Sequence, residues 1–160
     1  MVTLESIAGR SRREKLPGGT RVATDAASVN EIPADEESVL EMDRLVLLPM
    51  VSGDALELFG VLAEPSLYAF TGGHPPSSAH DLDARIRGRE SRVSPNGDEL
   101  WLNWTVRLKD GGIVVGYVQA SVKGPLAQLA WVVGLRFQGR GYATEASEAM
   151  TEWLRQKARG

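Results

Sequence analysis

Between Leu100 and Leu108 large apolar side chains fall on every second position. Leu100, Leu102, Trp104, Val106 and Leu108 alternate with Trp101, Asn103, Thr105 and Arg107. A period of two is the mark of a strand whose two faces meet different surroundings. Lys109-Asp-Gly-Gly112 follows, and its paired glycines supply the positive φ of a hairpin turn. Ile113 to Val122 then reads as the return strand, Lys123-Gly-Pro125 as a second turn, and Leu126 to Val133 as a third strand. Three consecutive strands joined by tight turns make an antiparallel meander. A sheet of this kind must bury its apolar surface under the elements that flank it.

The flanking sequence supplies such elements. Arg44-Leu-Val-Leu-Leu-Pro-Met50 suits a first strand ended by proline. Ser52 or Asp54 can cap a helix whose apolar side holds Leu56, Leu58, Phe59 and Leu62, and Pro65 ends it. Gly72 to Pro76 is a loop. Ser78 precedes a second helix with Leu82 and Ile86 four apart, which Ser94-Pro-Asn-Gly97 closes. After the meander, Gly141-Tyr-Ala-Thr-Glu145 opens a last helix with Ala146, Met150, Trp153 and Leu154 in one stripe. Its acids, Glu145 and Glu148, come early and Arg155, Lys157 and Arg159 late, as the helix dipole favours. The expected order is β-α-α-β-β-β-α, with Trp101, Trp104 and Trp153 in the core.

Composition sets the limits of this domain. All ten aromatic residues lie after position 43. Residues 1–43 carry nine acidic and five basic side chains and no ring, so they read as a mostly disordered extension. Residues 44–160 hold 13 basic and 12 acidic side chains and form the expected domain. Without cysteine there is no disulfide framework, thiolate metal site or cysteine nucleophile. The two histidines, His74 and His80, have no neighbouring acid that would suggest a metal site. No apolar run reaches the roughly 18 residues of a membrane span, and the basic stretch Arg10 to Lys15, followed by Pro-Gly-Gly and not by an apolar run, is not expected to be a secretory leader. The expected location is therefore the cytoplasm. The Arg10–Lys15 cluster reads as a solvated charge run rather than a nucleic-acid site.

The chemistry sits between the third meander strand and the last helix, in Trp131-Val-Val-Gly-Leu-Arg-Phe-Gln-Gly-Arg-Gly-Tyr-Ala-Thr-Glu-Ala146. A glycine-rich turn at a helix start aims several backbone N–H groups at one point, which suits a phosphate or pyrophosphate. Gly139 and Gly141 let the backbone approach a ligand, and Arg140 can add a charged contact. A P-loop would need Gly-Lys-Ser/Thr, which is absent. A dinucleotide fingerprint would need a parallel βαβ unit, and Thr144 stands at its third glycine. The remaining reading is a loop for the pyrophosphate of coenzyme A.

Gln138-Gly-Arg-Gly141-Tyr-Ala143 satisfies the Gln/Arg-x-x-Gly-x-Gly/Ala hallmark of the GNAT N-acetyltransferases. Arg136-x-x-Gly139-x-Gly141 fits the same formula two residues earlier. With the meander before it and the β-α-α order upstream, residues 44–160 resemble that superfamily, most closely its RimJ/RimL-like branch. The resemblance implies an α/β (α+β) fold of the acyl-CoA N-acyltransferase type, with a mostly antiparallel central sheet flanked by helices. It implies acetyl-CoA as cosubstrate and an amine-bearing small molecule or protein N-terminus as acceptor. A bulged strand at Trp131, Val132 and Val133 would bind the pantetheine arm. The pyrophosphate would lie on Gln138, Gly139, Arg140, Gly141, Tyr142, Ala143 and Thr144.

The catalytic groups are left open. Relatives often carry an acid near the position of Gln128, an amide here, and Asp98, Glu99, His74 and His80 read better as turn, edge and loop residues. Relatives also continue beyond the last helix with a strand, a helix and two more strands. The expectation is therefore a chain truncated at its C-terminus. It would have an incompletely buried last helix and an exposed edge on the third meander strand, open to a second copy. The alternative to an enzyme is a CoA-binding fragment that needs a partner chain to complete its groove.

Overall fold

The computed structural model describes residues 21–23, 39–69 and 73–159. Six strands form one sheet in the order β1-β6-β5-β4-β3-β2, and every neighbouring pair is antiparallel. They are β1 (Arg21–Ala23), β2 (Leu40–Glu41), β3 (Leu45–Pro49), β4 (Leu100–Leu108), β5 (Val114–Lys123) and β6 (Leu126–Val133). Helices α1 (Ala55–Leu62) and α2 (Ala79–Arg87) lie between β3 and β4, and α3 (Tyr142–Arg159) follows β6. The expected β-α-α-β-β-β-α series is thus present from β3 to α3.

Most of the expected 1–43 extension lies outside the described residues. The described stretches inside it contribute the two edge strands. β1 pairs with the start of β6 through Arg21–Gln128, Val22–Ala127 and Ala23–Leu126, and β2 pairs with β3. The exposed edge expected on β6 is therefore narrower than the sequence implied. β1 covers Leu126 to Gln128, and Leu129 to Val133 have a strand partner only on the β5 side among the described residues.

Alternation along the strands separates two cores. Against α3 pack Leu45, Leu47, Leu102, Trp104, Val106, Val118 and Leu129, meeting Ala146, Met150, Trp153 and Leu154. Trp104 and Trp153 meet edge to face, with ring centroids 5.4 Å apart. The whole apolar stripe of α3 is buried, which corrects the expectation of incomplete burial. The packing is supplied by β3, β4, β5 and β6 together. On the opposite face Leu58, Leu62, Leu82 and Ile86 of α1 and α2 cover Tyr117 and Val132.

Local chemistry fixes the helices on that second face. Ser78 caps α2 by accepting from the Asp81 N–H at 3.0 Å. Asp54 stands at the start of α1 but caps nothing in it. Its carboxylate accepts from the Val51 N–H (3.1 Å), the Thr105 hydroxyl (2.8 Å) and Arg107 (3.0 Å). Arg107 also grips Glu57 of α1, which is the main reason its pKa is raised. This network, buried at Asp54 and Thr105 and open to solvent at Glu57, ties α1 to β4.

The sheet's irregularity is between β4 and β5, where Val106 pairs with Gly116 and Arg107 with Val114. The bulge expected in β6 is absent from its pairing with β5, which runs unbroken from Gly116–Val133 to Lys123–Leu126. Gly116 explains the difference. A Cβ there would fall 1.8 Å from the Val132 carbonyl oxygen. The glycine lets β5 close onto β6 while the extra residue, Val115, is taken up on the β4 side.

Candidate functional site

Strand β6 ends at Val133, and the chain turns before α3. The Gly134 N–H donates to the Val115 carbonyl (2.8 Å), a 3₁₀ turn spans Leu135–Phe137, and the buried Phe137 ring anchors it to the α3-side core. The Gln138 side-chain amide donates back to the Val133 carbonyl at 3.0 Å, closing the turn on the strand end. Gly139 (φ +76°) and Gly141 (φ +81°) then carry the backbone through left-handed conformations that other residues rarely adopt. The first internal bond of α3 runs from the Glu145 N–H to the Gly141 carbonyl at 3.0 Å.

It follows that the N–H groups of Tyr142, Ala143 and Thr144 belong to the unpaired first turn of an 18-residue helix. Those of Gly139, Arg140 and Gly141 likewise meet no acceptor among the described residues. Six consecutive donors at the positive end of a helix dipole are a cradle for an anion. Gln138, Gly139, Arg140, Gly141 and Thr144 are exposed, and Tyr142 and Ala143 are half-buried, so a ligand has access. On the α1 side, the turn Leu135–Phe137 and Val61 wall a cavity of about 460 Å³ that Arg136 also lines.

The structure brings the two expected halves of the site together. Trp131, Val132 and Val133 form the last three residues of β6, next to the loop, on the stretch whose outer edge β1 leaves open. Trp131 and Val133 face the α3 core and Val132 faces α1 and α2.

Sequence reasoning missed Arg44. It stands just before β3, where its carbonyl accepts from the Lys109 N–H at 2.8 Å. Its guanidinium donates to the Arg140 carbonyl (2.7 Å), pairs with Glu145 (3.3 Å) and lies 4.7 Å from the centre of the Tyr142 ring. Nothing local in the sequence signals a contact between residues 96 positions apart.

Asp98, Glu99, His74 and His80 do not join the site. Asp98 and Glu99 precede β4 at the end of the sheet opposite Val133, since Leu100 pairs with Val122. Asp98 contacts Lys123 and accepts from Ser94, and these bonds, Lys123 first, lower its pKa. Glu99 accepts from the Trp101 indole at 3.3 Å. His74 and His80 are exposed, on a loop and on α2. Gln128 is exposed on β6, opposite Ser121 on β5 and Arg21 on β1.

Residues 44–159 match the family model of the acetyltransferase (GNAT) domain. The chain belongs to the GNAT acetyltransferase family. Solved structures agree in fold. A GNAT-family acetyltransferase from Bacillus anthracis is 14% identical, with 76% of this chain and 69% of that chain covered and a TM-score of 0.55. A ribosomal-protein-alanine acetyltransferase from Vibrio fischeri is 16% identical over 76% of this chain and 69% of that one, at a TM-score of 0.58. An acetyltransferase from Thermus thermophilus is 26% identical over 68% of each chain, at a TM-score of 0.54. No curated protein matches the sequence. Among the described residues, no helix of this GNAT chain is long and apolar enough to cross a membrane, and no cluster of His, Asp and Glu could hold a metal ion.

Proposed function

We propose that the chain is a cytoplasmic N-acetyltransferase that carries an acetyl group from acetyl-CoA to a primary amine, on a small molecule or a protein N-terminus. The observation that carries this reading is the run of six N–H groups from Gly139 to Thr144 that meet no acceptor among the described residues. A pyrophosphate supplies oxygens enough for such a run, and the dipole of α3 favours its charge. The pantetheine arm, which carries amide groups of its own, would extend along the open edge of β6 at Trp131, Val132 and Val133.

In the reaction the amine nitrogen attacks the thioester carbonyl, the C–S bond breaks, and CoA leaves as a thiolate. The proton lost by the amine ends on that sulfur, directly or through water. A strand N–H at the β6 edge would stabilise the carbonyl oxygen as charge develops on it. A second reading, a CoA-binding fragment without catalysis, draws on Gln128, an amide that cannot accept the amine's proton. In that reading a second copy pairs along Leu129 to Val133 and completes the groove.

Thiol release from acetyl-CoA over a panel of primary amines tests the enzyme, with calorimetry on CoA run alongside. Thiol release that depends on the amine supports the first reading. Binding without release for any amine supports the second, in which light scattering would find a dimer. Absence of CoA binding would defeat both.

A further inference from the structure

We propose that Arg44 is a positioning residue for the diphosphate-binding loop, holding the Arg140–Gly141 peptide so that its N–H faces the ligand. The inference rests on the reading of residues 138–144 as the CoA site, and it concerns how that site is kept in shape.

A trans peptide points its C=O and its N–H in opposite directions, and no cis bond occurs among the described residues. Arg44 takes the Arg140 carbonyl at 2.7 Å. The N–H of the same unit, that of Gly141, must therefore point away from the guanidinium. This peptide lies between Arg140 and Gly141, and Gly141, at φ +81°, is free to rotate into other regions, while Gly139, at φ +76°, gives the same freedom to the unit before it. Left alone, the Arg140–Gly141 unit could flip and turn a carbonyl, not an N–H, toward the anion. The bond from Arg44 selects one of the two orientations.

A second contribution is electrostatic. Glu145 lies in the first turn of α3, close to where a diphosphate would sit, and its carboxylate would repel that charge. Arg44 pairs with it at 3.3 Å. The same guanidinium lies over the Tyr142 ring, so one side chain touches three residues of the loop and helix start. Arginine suits this because its planar fork can donate in two directions while stacking on a ring, and lysine cannot do all three. Gly141 takes part as well: a Cβ there would lie 3.3 Å from a guanidinium nitrogen, so a larger residue would crowd the clamp. The Arg44 side chain is 48% exposed. An ion pair that open adds little to global stability, which leaves loop geometry as its main effect.

The test compares two ligands that share the pantetheine arm. CoA adds the diphosphate and its nucleotide, and dephospho-CoA, which keeps the diphosphate without the 3′-phosphate, is expected to follow CoA. Affinities of wild type, Arg44→Ala and Arg44→Lys are measured by amide NMR titration, which reads millimolar binding, with thermal unfolding as a check of the fold. The expected result is a loss of tenfold or more in CoA affinity for both variants, with pantetheine affinity within twofold of wild type. Unchanged CoA affinity in the variants would overturn the proposal while leaving the CoA site intact. A parallel loss for both ligands would also overturn it, since that is the mark of a merely structural role. Should wild type fail to bind CoA, the underlying reading falls and this proposal with it. If Arg44→Ala does not fold, Arg44→Lys carries the test alone, because it keeps the charge and loses the fork.

Discussion

On the α3 side of the sheet the buried side chains of the strands are apolar, from Leu45 and Leu47 through Trp104 to Leu129. On the other side the same strands bury Asn103, Thr105, Gln119 and Ser121. Asn103 and Gln119 are cross-strand partners, as are Trp101 and Ser121, so the polar groups form rows across β4 and β5. Thr105 is satisfied by Asp54, but Gln119, 2% exposed, has neither amide atom in a hydrogen bond among the described residues. A buried polar group without a partner costs stability. The contrast separates two tasks: the α3 face holds the helix that presents the loop proposed to bind CoA, while the α1–α2 face retains polar groups that packing alone would not keep.

Substitutions at the junction and on each face sharpen that contrast. Gly116→Ala strikes the seam between the faces, where a Cβ would overlap the Val132 carbonyl. We expect loss of the cooperative unfolding transition in circular dichroism. A folded variant with near-native melting would show that the β5–β6 approach is not as close as described. Trp104→Ala removes the largest wholly buried side chain of the α3 face. It should lower unfolding free energy by about 3–5 kcal/mol in chemical denaturation. A loss under about 1 kcal/mol would remove the distinction between the faces.

The polar face should answer in the opposite sense. Gln119→Met keeps the volume and removes the unpartnered amide, so stability should rise by about 1 kcal/mol. A clear destabilisation would mean that Gln119 has a partner in solution. The smallest effect concerns acid. Asp98 has a lowered folded pKa, chiefly through Lys123, so its contribution is present above the unfolded value of about 3.9 and fades as pH falls through the lowered one. Asp98→Asn should flatten the melting temperature against pH slightly below about pH 4. An unchanged profile would show that the pair adds nothing.

Local patterns made the centre of this fold legible. The alternation at Leu100–Leu108, the glycine turns after it and the stripe on α3 each arise within a few residues, and the structure follows all three. Strands β1 and β2 left no such trace, because three and two residues in a polar stretch are too short for a period, and their partners come from other parts of the chain. The conformation of the loop before α3 was readable for the same reason as the turns: Gly139 and Gly141 announce a backbone that needs positive φ. Arg44 was not, since its partners exist only once β3 and α3 are side by side. The bulge was misplaced for a related reason. Gly116 owes its meaning to the Val132 carbonyl on the neighbouring strand, which no reading of β6 alone reveals.

The central claim is that the start of α3 receives the diphosphate of coenzyme A. The most direct measurement is an amide NMR titration of the wild-type chain with CoA. The account predicts saturable shifts concentrated at the N–H groups of Gly139 to Thr144, with smaller ones along Trp131 to Val133. No saturable shift, or shifts confined to other parts of the sheet, would contradict it.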